Sequence, residues 1–422
     1  MWCVENGLAI PADVSMVMAK LANHGYRVWI VGGAVRDLLI GEHPYDWDLV
    51  VEGKLDDLTV FFPHSKIIGK DRKRVCRFMA GCFGVEIAPI RGTDIVSDLS
   101  CRDFTVNAMA VSSDGSLVDP FCGRVDVENG ILRFTGNPSE RIEEDPIRLL
   151  RMCRFASSLE LDIYGPHFEE ACSRAEAILS ISLERIGYEM LKGLRTKCGT
   201  FWDLVERTGL ASFILPFRPG DEMDIDMPLP ATCRITVSEF LSRIMHLLQD
   251  CGYPEAFSAA ALFLPFFLKL DFKDAAAAAE EKMVSWSWPV KTRRNSLFFA
   301  GFALRMLSCL EAGSIYELWL ASCDSDKLHD LCVFSGLVAE IFPERAGPFL
   351  YQALALNLDN AMEIFNVLGD RTIFLPAGEI SELFPVPHGP ELGNLRFALA
   401  LEIAGGRIKT RKESLDFLSS AR

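Results

Sequence analysis

The chain has 422 residues, half of them apolar, and a formal charge of -15 at pH 7. That length exceeds one ordinary hydrophobic core and that apolar content excludes a disordered chain, so a multi-domain globular protein is expected. The acidity excludes a general nucleic-acid coat, because phosphate contacts need clustered Lys and Arg; any RNA-binding surface must be local.

The N-terminus, MWCVENGLAI, has an acid where a secretory leader would carry lysines, and no stretch approaches the roughly 20 apolar residues of a membrane span. The 13 cysteines form no CxxC pair or zinc-type spacing and read as reduced thiols. A cytoplasmic chain without a membrane partner is expected. From Arg27 to about Pro120, short β-branched runs bounded by Gly, Pro and Asp (RVWIVGG, WDLVVEG, VCRFMA, GVEIAPIR, LVDPF) predict a small α/β head, given the bounds 1–138. After Glu140 apolar residues recur at three- and four-residue spacing, which predicts a helical neck over 139–215. The Pro- and acid-rich stretch from about Pro216 to Thr232 reads as a linker, and 233–422 as a helical body and tail. Two basic clusters, Lys66, Lys70, Arg72, Lys73, Arg74 and Arg77, then Arg407, Lys409, Arg411 and Lys412, are candidate RNA contacts and equally ordinary solvated faces.

The densest chemical signal is VGGAVRDLL followed by YDWDLVV. A strand ending in Gly32-Gly33 and turning into a helix leaves backbone N–H groups facing outward as a phosphate seat, to which Arg36 can add a charge-assisted contact. Glycines alone are a weak signal, because a plain tight turn, or a dinucleotide-binding dehydrogenase lacking its third glycine, explains them too. Asp46 and Asp48 lie two apart in a predicted strand, so their carboxylates share a face. Two such charges side by side call for a cation, and Mg²⁺ suits hard oxygen ligands shared with substrate phosphates. An isolated Asp-x-Asp is usually a polar strand edge; following a phosphate-type turn, it is read here as a catalytic metal pair.

GGAVRD followed by DWD resembles the first motif of the class II tRNA nucleotidyltransferase and bacterial poly(A) polymerase family. The resemblance implies an α/β, polymerase-β-like nucleotidyltransferase head followed by an all-α neck, body and tail. Catalysis falls on Asp46 and Asp48, and Gly32, Gly33, Arg36 and Asp37 belong to the same motif. CRDFTVNAMA is similar to the family's RRDFTxNAxA, which gives ribose reading to Asp103, with Arg102 and Asn107 supporting triphosphate and sugar. LVDPFCGRVDV is similar to the segment joining head to neck. EEDPIRLLRMCRFA resembles the EDxxR motif, in which Asp145 and Arg148, expected on one helix face, imitate a base-pairing partner for C and A while Glu144 steadies the arginine; Arg151 and Arg154 continue that helix. Read without the resemblance, Asp145-Pro146 is an ordinary helix N-cap and first residue. Glu86 is the position from which a third carboxylate could approach the metal, or an exposed strand residue. Arg91 is a candidate for triphosphate or RNA. The C-terminal stretch with its GPELG turn is similar to the tail of CCA-adding enzymes and favours tRNA.

Two departures stand out. Cys101 replaces an arginine, and between GVEIAPIR and the RDFT motif only GTDIVSDLSC remains where family members that add the terminal A carry a flexible loop. The resemblance then implies addition of CC to the tRNA 3′ end from CTP, with CCA addition from CTP and ATP as the wider reading and a separate A-adding enzyme as a partner of the narrower one. Poly(A) synthesis is the rival within the family, and a catalytically silent RNA-binding protein the rival outside it.

Overall fold

In the computed structural model of the chain, the described residues are 2–5, 8–54, 58, 60–69, 74–195, 197–215, 217–218, 220–225, 233–250, 255–270, 272–308, 325–341, 373–375, 377–384, 390–404 and 407–420. They group into two compact units, one of residues 1–193 and 204–216, the other of 194–203 and 217–422.

The first unit opens with a hairpin of β1 (Trp2–Glu5) and β2 (Leu8–Pro11), then helix α1 (Ala12–Asn23), β3 (Val28–Val31), α2 (Gly33–Leu39) and β4 (Asp46–Val51). β5 (Lys66–Ile68), β6 (Val75–Ala80), β7 (Phe83–Pro89), β8 (Ala110–Ser112) and β9 (Leu117–Val118) complete a seven-stranded sheet of order β5-β6-β7-β4-β3-β8-β9. The sheet is mixed: β4 and β7 run parallel and its other neighbours antiparallel. One face buries Val28, Ile30, Trp47, Leu49, Val51, Val85 and Ile87 against Val14, Val17, Met18 and Leu21 of α1 and Val35 and Leu38 of α2. The other buries Trp29, Val31 and Val50 with Leu99, which lies on the short helix α3 (Ile95–Ser100). Period-two alternation along β4 thus sends Trp47 and Leu49 into the main core and leaves Asp46 and Asp48 on the second face.

Past the sheet come α4 (Gly123–Glu128), α5 (Pro138–Glu144), α6 (Arg148–Leu159), α7 (Gly165–Ser173), a 3₁₀ segment (Ala175–Ser180), α8 (Leu183–Gly193), α9 (Cys198–Arg207) and α10 (Ala211–Ile214). The helical period read from the sequence is present, with one departure from an all-α neck. β11 (Asp162–Ile163) pairs in parallel with β10 (Ile131–Leu132), because after α6 ends at a left-handed Glu160 the chain satisfies its backbone groups on the strand leaving the head. Gly123 opens α4 where the backbone of Thr105 crosses: a Cβ there would lie 2.2 Å from the Thr105 carbonyl oxygen.

In the second unit α11 (Val237–Asp250), α12 (Glu255–Ala261), α13 (Leu264–Lys269), α14 (Phe272–Ser285), α15 (Val290–Ser308) and α16 (Ser325–Glu340) precede α17 (Ala377–Leu383), α18 (Pro390–Ala404) and α19 (Arg411–Ser420). The stretch read as a linker, and the body read as wholly helical, are corrected here. β12 (Glu222–Ile225) pairs antiparallel with β13 (Cys233–Thr236), and two of the four prolines that suggested a linker, at 228 and 230, fall between the strands. Proline lacks the N–H a ladder needs, so a Pro-rich run between two extended segments suits a hairpin connection as well as a linker. α18 begins at Pro390, the proline of the GPELG motif; the residues before it, 385–389, lie outside the described residues. So do Lys70, Arg72 and Lys73 of the first basic cluster. In the second cluster Arg407 pairs with Glu402 and Arg411 with Glu379.

Gly123→Ala is expected to destabilise the first unit by about 1–3 kcal/mol, since the new methyl meets fixed backbone rather than a yielding side chain. Urea unfolding followed by circular dichroism reads the change, and an unaltered midpoint would contradict it.

Candidate functional site

The site is assembled where β3 ends. Antiparallel register sets Val31 opposite Asp48, and parallel register sets Asp46 beside Gly84 and Asp48 beside Glu86. The chain then turns at Gly32, whose φ of 76° and ψ of -139° favour glycine, into α2. A Cβ on Gly32 would stand 3.0 Å from Arg102 Nη1 and 3.7 Å from Asp48 Oδ2, so the missing side chain is the space in which a cationic and an anionic group converge. Gly84 does the same for Asp46, whose Oδ1 would be 2.6 Å from a Cβ there.

Asp46 and Asp48 are both open to solvent. The protein packed around Asp48 nevertheless raises its pKa; Arg102 pulls the other way, and the Glu86 and Asp46 charges add to the rise. A carboxylate so placed gains from a neighbouring cation, and the donor set is all hard oxygen, without His or Cys, which fits a divalent ion of the Mg²⁺ type rather than Zn²⁺. Among the described residues no set of three His, Cys, Asp or Glu side chains is gathered closely enough to hold an ion. The fit is therefore that of a two-carboxylate site completed by substrate oxygens. Glu86, on the same face, lies 3.5 Å from Arg77 Nη1.

Arginines surround this centre, each fixed by a carboxylate. Arg36 donates from Nε and Nη2 to Asp37 Oδ1 and from Nη1 to Asn107 Oδ1, at 2.7–2.9 Å, and lies against Gly33. Arg102 donates from Nε and Nη2 to Asp98 Oδ2, which leaves Nη1 directed at Gly32. Asp98 is 1% exposed; its Oδ1 accepts the Arg91 backbone N–H at 2.9 Å and lies 3.4 Å from Arg91 Nε. Asp98 was not singled out in the sequence. Its only local sign is its place in the middle of DIVSDLS, where Asp94 caps α3 through a reciprocal capping box with Ser97.

Asp103 is buried, accepts the Phe104 N–H, and meets Arg151 Nη2 at 2.6 Å as an ion pair without the alignment of a hydrogen bond. Burial disfavours the charge on Arg151, but the carboxylates of Asp103, Glu189 and Asp145 outweigh it and raise its pKa. Arg154 donates to Glu189 Oε2 at 2.6 Å and stacks on Phe155.

The expectation that Asp145 and Arg148 share a helix face is overturned. Asp145 closes α5 in an extended conformation, with φ -155° and ψ 91°, and α6 begins only at Arg148 with Ile147 as its cap. The reading of Asp145-Pro146 as N-cap and first helical residue falls with it. Proline disfavours the helical conformation in the residue before it, so Pro146 ends α5 at Asp145 and forces a turn. Glu144 and Arg148 still bond, at 2.8 Å, across that turn. Asp145 Oδ2 accepts from Arg185 Nη2 on α8 at 2.7 Å, a partner 40 residues away that sequence spacing could not reveal.

A mixed sheet whose central strand carries an Asp-x-Asp pair beside a Gly-Gly turn, flanked by arginines, defines a nucleotidyltransferase. Residues 28–133 match the poly A polymerase head domain. The chain is 31% identical over 238 residues to the CC-adding tRNA nucleotidyltransferase of Halalkalibacterium halodurans, a match covering 56% of this chain and 63% of that relative's length. It is 26% identical over 420 residues to the CCA-adding enzyme of Lactococcus lactis, with 94% of each chain covered. Its fold is similar to that of the Bacillus stearothermophilus CCA-adding enzyme solved in complex with CTP, at a TM-score of 0.66 and 21% identity over 97% of both chains. The chain is thus similar, in its head and beyond it, to the class II tRNA nucleotidyltransferases and poly(A) polymerases.

Because the folded pKa of Asp48 exceeds the ordinary 3.8, its ionised form opposes folding above that value, while below it both states are protonated and the penalty vanishes. Asp48→Asn should therefore raise the melting temperature of the chelator-treated protein at pH 7 by about 1–2 °C, the exposure of the residue keeping the effect small. The gain should shrink as the pH falls towards 3.8. A lower melting temperature at pH 7 would count against this account of the site.

Proposed function

We propose that the protein adds cytidine nucleotides, without a template, to the 3′ end of tRNA, from CTP and with release of pyrophosphate. The reading rests above all on one observation: two carboxylates on a single strand face, next to a glycine turn against which an arginine nitrogen is aimed. The relatives named above bear the names of CC- and CCA-adding enzymes, and one solved neighbour holds CTP.

In this reading Asp46 and Asp48 hold Mg²⁺, with Glu86 in reserve on the adjoining strand. A bound divalent cation supplies charge stabilisation at the reacting phosphate and favours the alkoxide form of the attacking 3′-hydroxyl. The rest is positioning. Arg102 and Arg36, held in plane by Asp98 and by Asp37 with Asn107, offer their remaining N–H groups to the triphosphate oxygens, with Arg91 at the rim. Asp103 accepts from the ribose 2′-hydroxyl, with Arg151 paired to it holding the carboxylate in place. Arg148 and Asp145 present donors and an acceptor to the base edge, steadied by Glu144 and Arg185, while Arg154 fixes α6 on α8. The 3′-oxygen attacks the α-phosphorus, and pyrophosphate departs in line.

The short connection between β7 and Asp103 folds as the capped helix α3 rather than as a mobile loop, and this favours CC addition, with a separate enzyme supplying A, over full CCA or poly(A) synthesis. The free thiols among the described residues, and the absence there of any helix long and apolar enough to cross a membrane, are compatible with work in the cytoplasm.

Supplying CTP and ATP, singly and together, with a tRNA lacking its 3′ terminus should extend it by CC alone; a product ending in CCA excludes the narrower reading, and an A ladder from ATP alone favours poly(A) synthesis. Asp46→Ala should lower transfer on the order of a thousandfold or more, as expected for the loss of several kcal/mol of charge stabilisation, with RNA affinity in a filter-binding assay nearly unchanged.

A further inference from the structure

Arg148 is held by contacts that the chemistry of transfer does not itself require. Its Nη1 donates to the carbonyl oxygen of Arg141 at 2.6 Å and to Glu144 Oε2 at 2.8 Å, and its Nη2 donates to the Cys101 carbonyl at 3.1 Å. Arg141, on α5 and 15% exposed, repeats the pattern: Nη1 donates to the Ser100 carbonyl at 2.8 Å and Nη2 to the other Glu144 oxygen. Ser100 and Cys101 are the last residue and the C-cap of α3, so the two arginines cap carbonyls that the helix end leaves without intrahelical partners. The same helix is fixed at its start by Asp94 and along its length by Asp98. Glu144 carries both guanidinium groups at once.

We infer that Arg141 is the positioning residue that sets nucleotide choice, bracing α3 against Glu144 and Arg148 so that the base-reading guanidinium keeps one orientation. The inference rests on the nucleotidyl transfer proposed above. Three of the Arg148 donor directions are spent on protein acceptors, and planarity fixes where the others point. Cytosine offers adjacent acceptors, N3 and O2, to a fixed guanidinium edge. Adenine offers N1 beside a C–H, so one donor would be left unpaired in a partly desolvated pocket. An arginine free to swing relaxes that difference, because it can follow the larger base or turn back to water.

The test compares kcat/KM for CTP and for ATP, each supplied alone to a tRNA lacking its 3′ terminus, for wild type, Arg141→Ala and Arg141→Lys. Removing the brace should lower the CTP-over-ATP ratio about tenfold or more in the alanine variant, and about threefold in the lysine variant, which can reach Ser100 or Glu144 but not both. A purely structural role would lower both nucleotides by one factor and leave the ratio intact. A ratio within twofold of wild type in whichever variant keeps its melting temperature overturns the inference, as does failure of both variants to fold, since Arg141 would then serve stability alone. A wild-type protein that transfers C without preferring it overturns this inference but not the proposed function; one that transfers nothing overturns both.

Discussion

The alignment of β4 on β3 is the constraint from which the site follows. With Val31 opposite Asp48, the carboxylate stands one residue from Gly32; a slip of one position would turn Asp46 and Asp48 into the main core and Trp47 towards water. That slip is prevented by the other face of the strand. Trp47 is fully buried and meets Phe83 edge-on at 6.4 Å, and Leu49 and Val51 continue the same apolar row. Burying a tryptophan of this size stabilises by about 2–3 kcal/mol or more, so the aim of the polar pair is enforced by the apolar residues alternating with it.

A second constraint is how a chain of charge -15 gathers cations around a centre meant for a triphosphate. The arginines placed around the site are each tied to a carboxylate: Arg36 to Asp37, Arg91 and Arg102 to Asp98, Arg148 to Glu144, Arg151 to Asp103, Arg154 to Glu189. The carboxylates lower the local charge, but they also hold each guanidinium in place before any ligand arrives. A planar fork gripped on one edge still has N–H groups on the other, which lysine could not offer with the same rigidity. In these pairs the acidity serves orientation, and the electrostatic work demanded of the site is pre-arranged rather than recruited from flexible surface lysines.

The strands carrying the site were legible because their signals were local. WIVGG and WDLVV each show an apolar pattern ended by glycine or opened by aspartate, and the structure places β3 and β4 on those segments. What escaped was either masked by another signal or depended on distant partners. β8 (Ala110–Ser112) begins on the last residue of a motif read for its polar residues, and β12 lies within a stretch read for its prolines and acids. Asp145 was misread although the rule that decides it was at hand: its own proline neighbour removes it from the helix. Asp98, Arg141 and Arg185 carry no sequence mark of their own, since their meaning lies in the carbonyls and carboxylates that the fold brings to them across 4 to 41 positions.

The proposed restriction to cytosine follows from how little room the chain leaves between β7 and Asp103. A pocket that must accept two bases in succession needs an element with two stable arrangements, and a long polar loop is the cheapest such element because few contacts oppose its movement. Here the connection is spent on α3, whose first turn is capped by its own Asp94, whose middle is gripped through Asp98, and whose final carbonyls receive Arg141 and Arg148. To move, this helix would have to break hydrogen bonds at both ends while exposing Leu99, which is fully buried against the sheet. Selectivity in such a design comes from the absence of an alternative arrangement: the arginine proposed to read the base is held by a helix that is itself fixed at both ends.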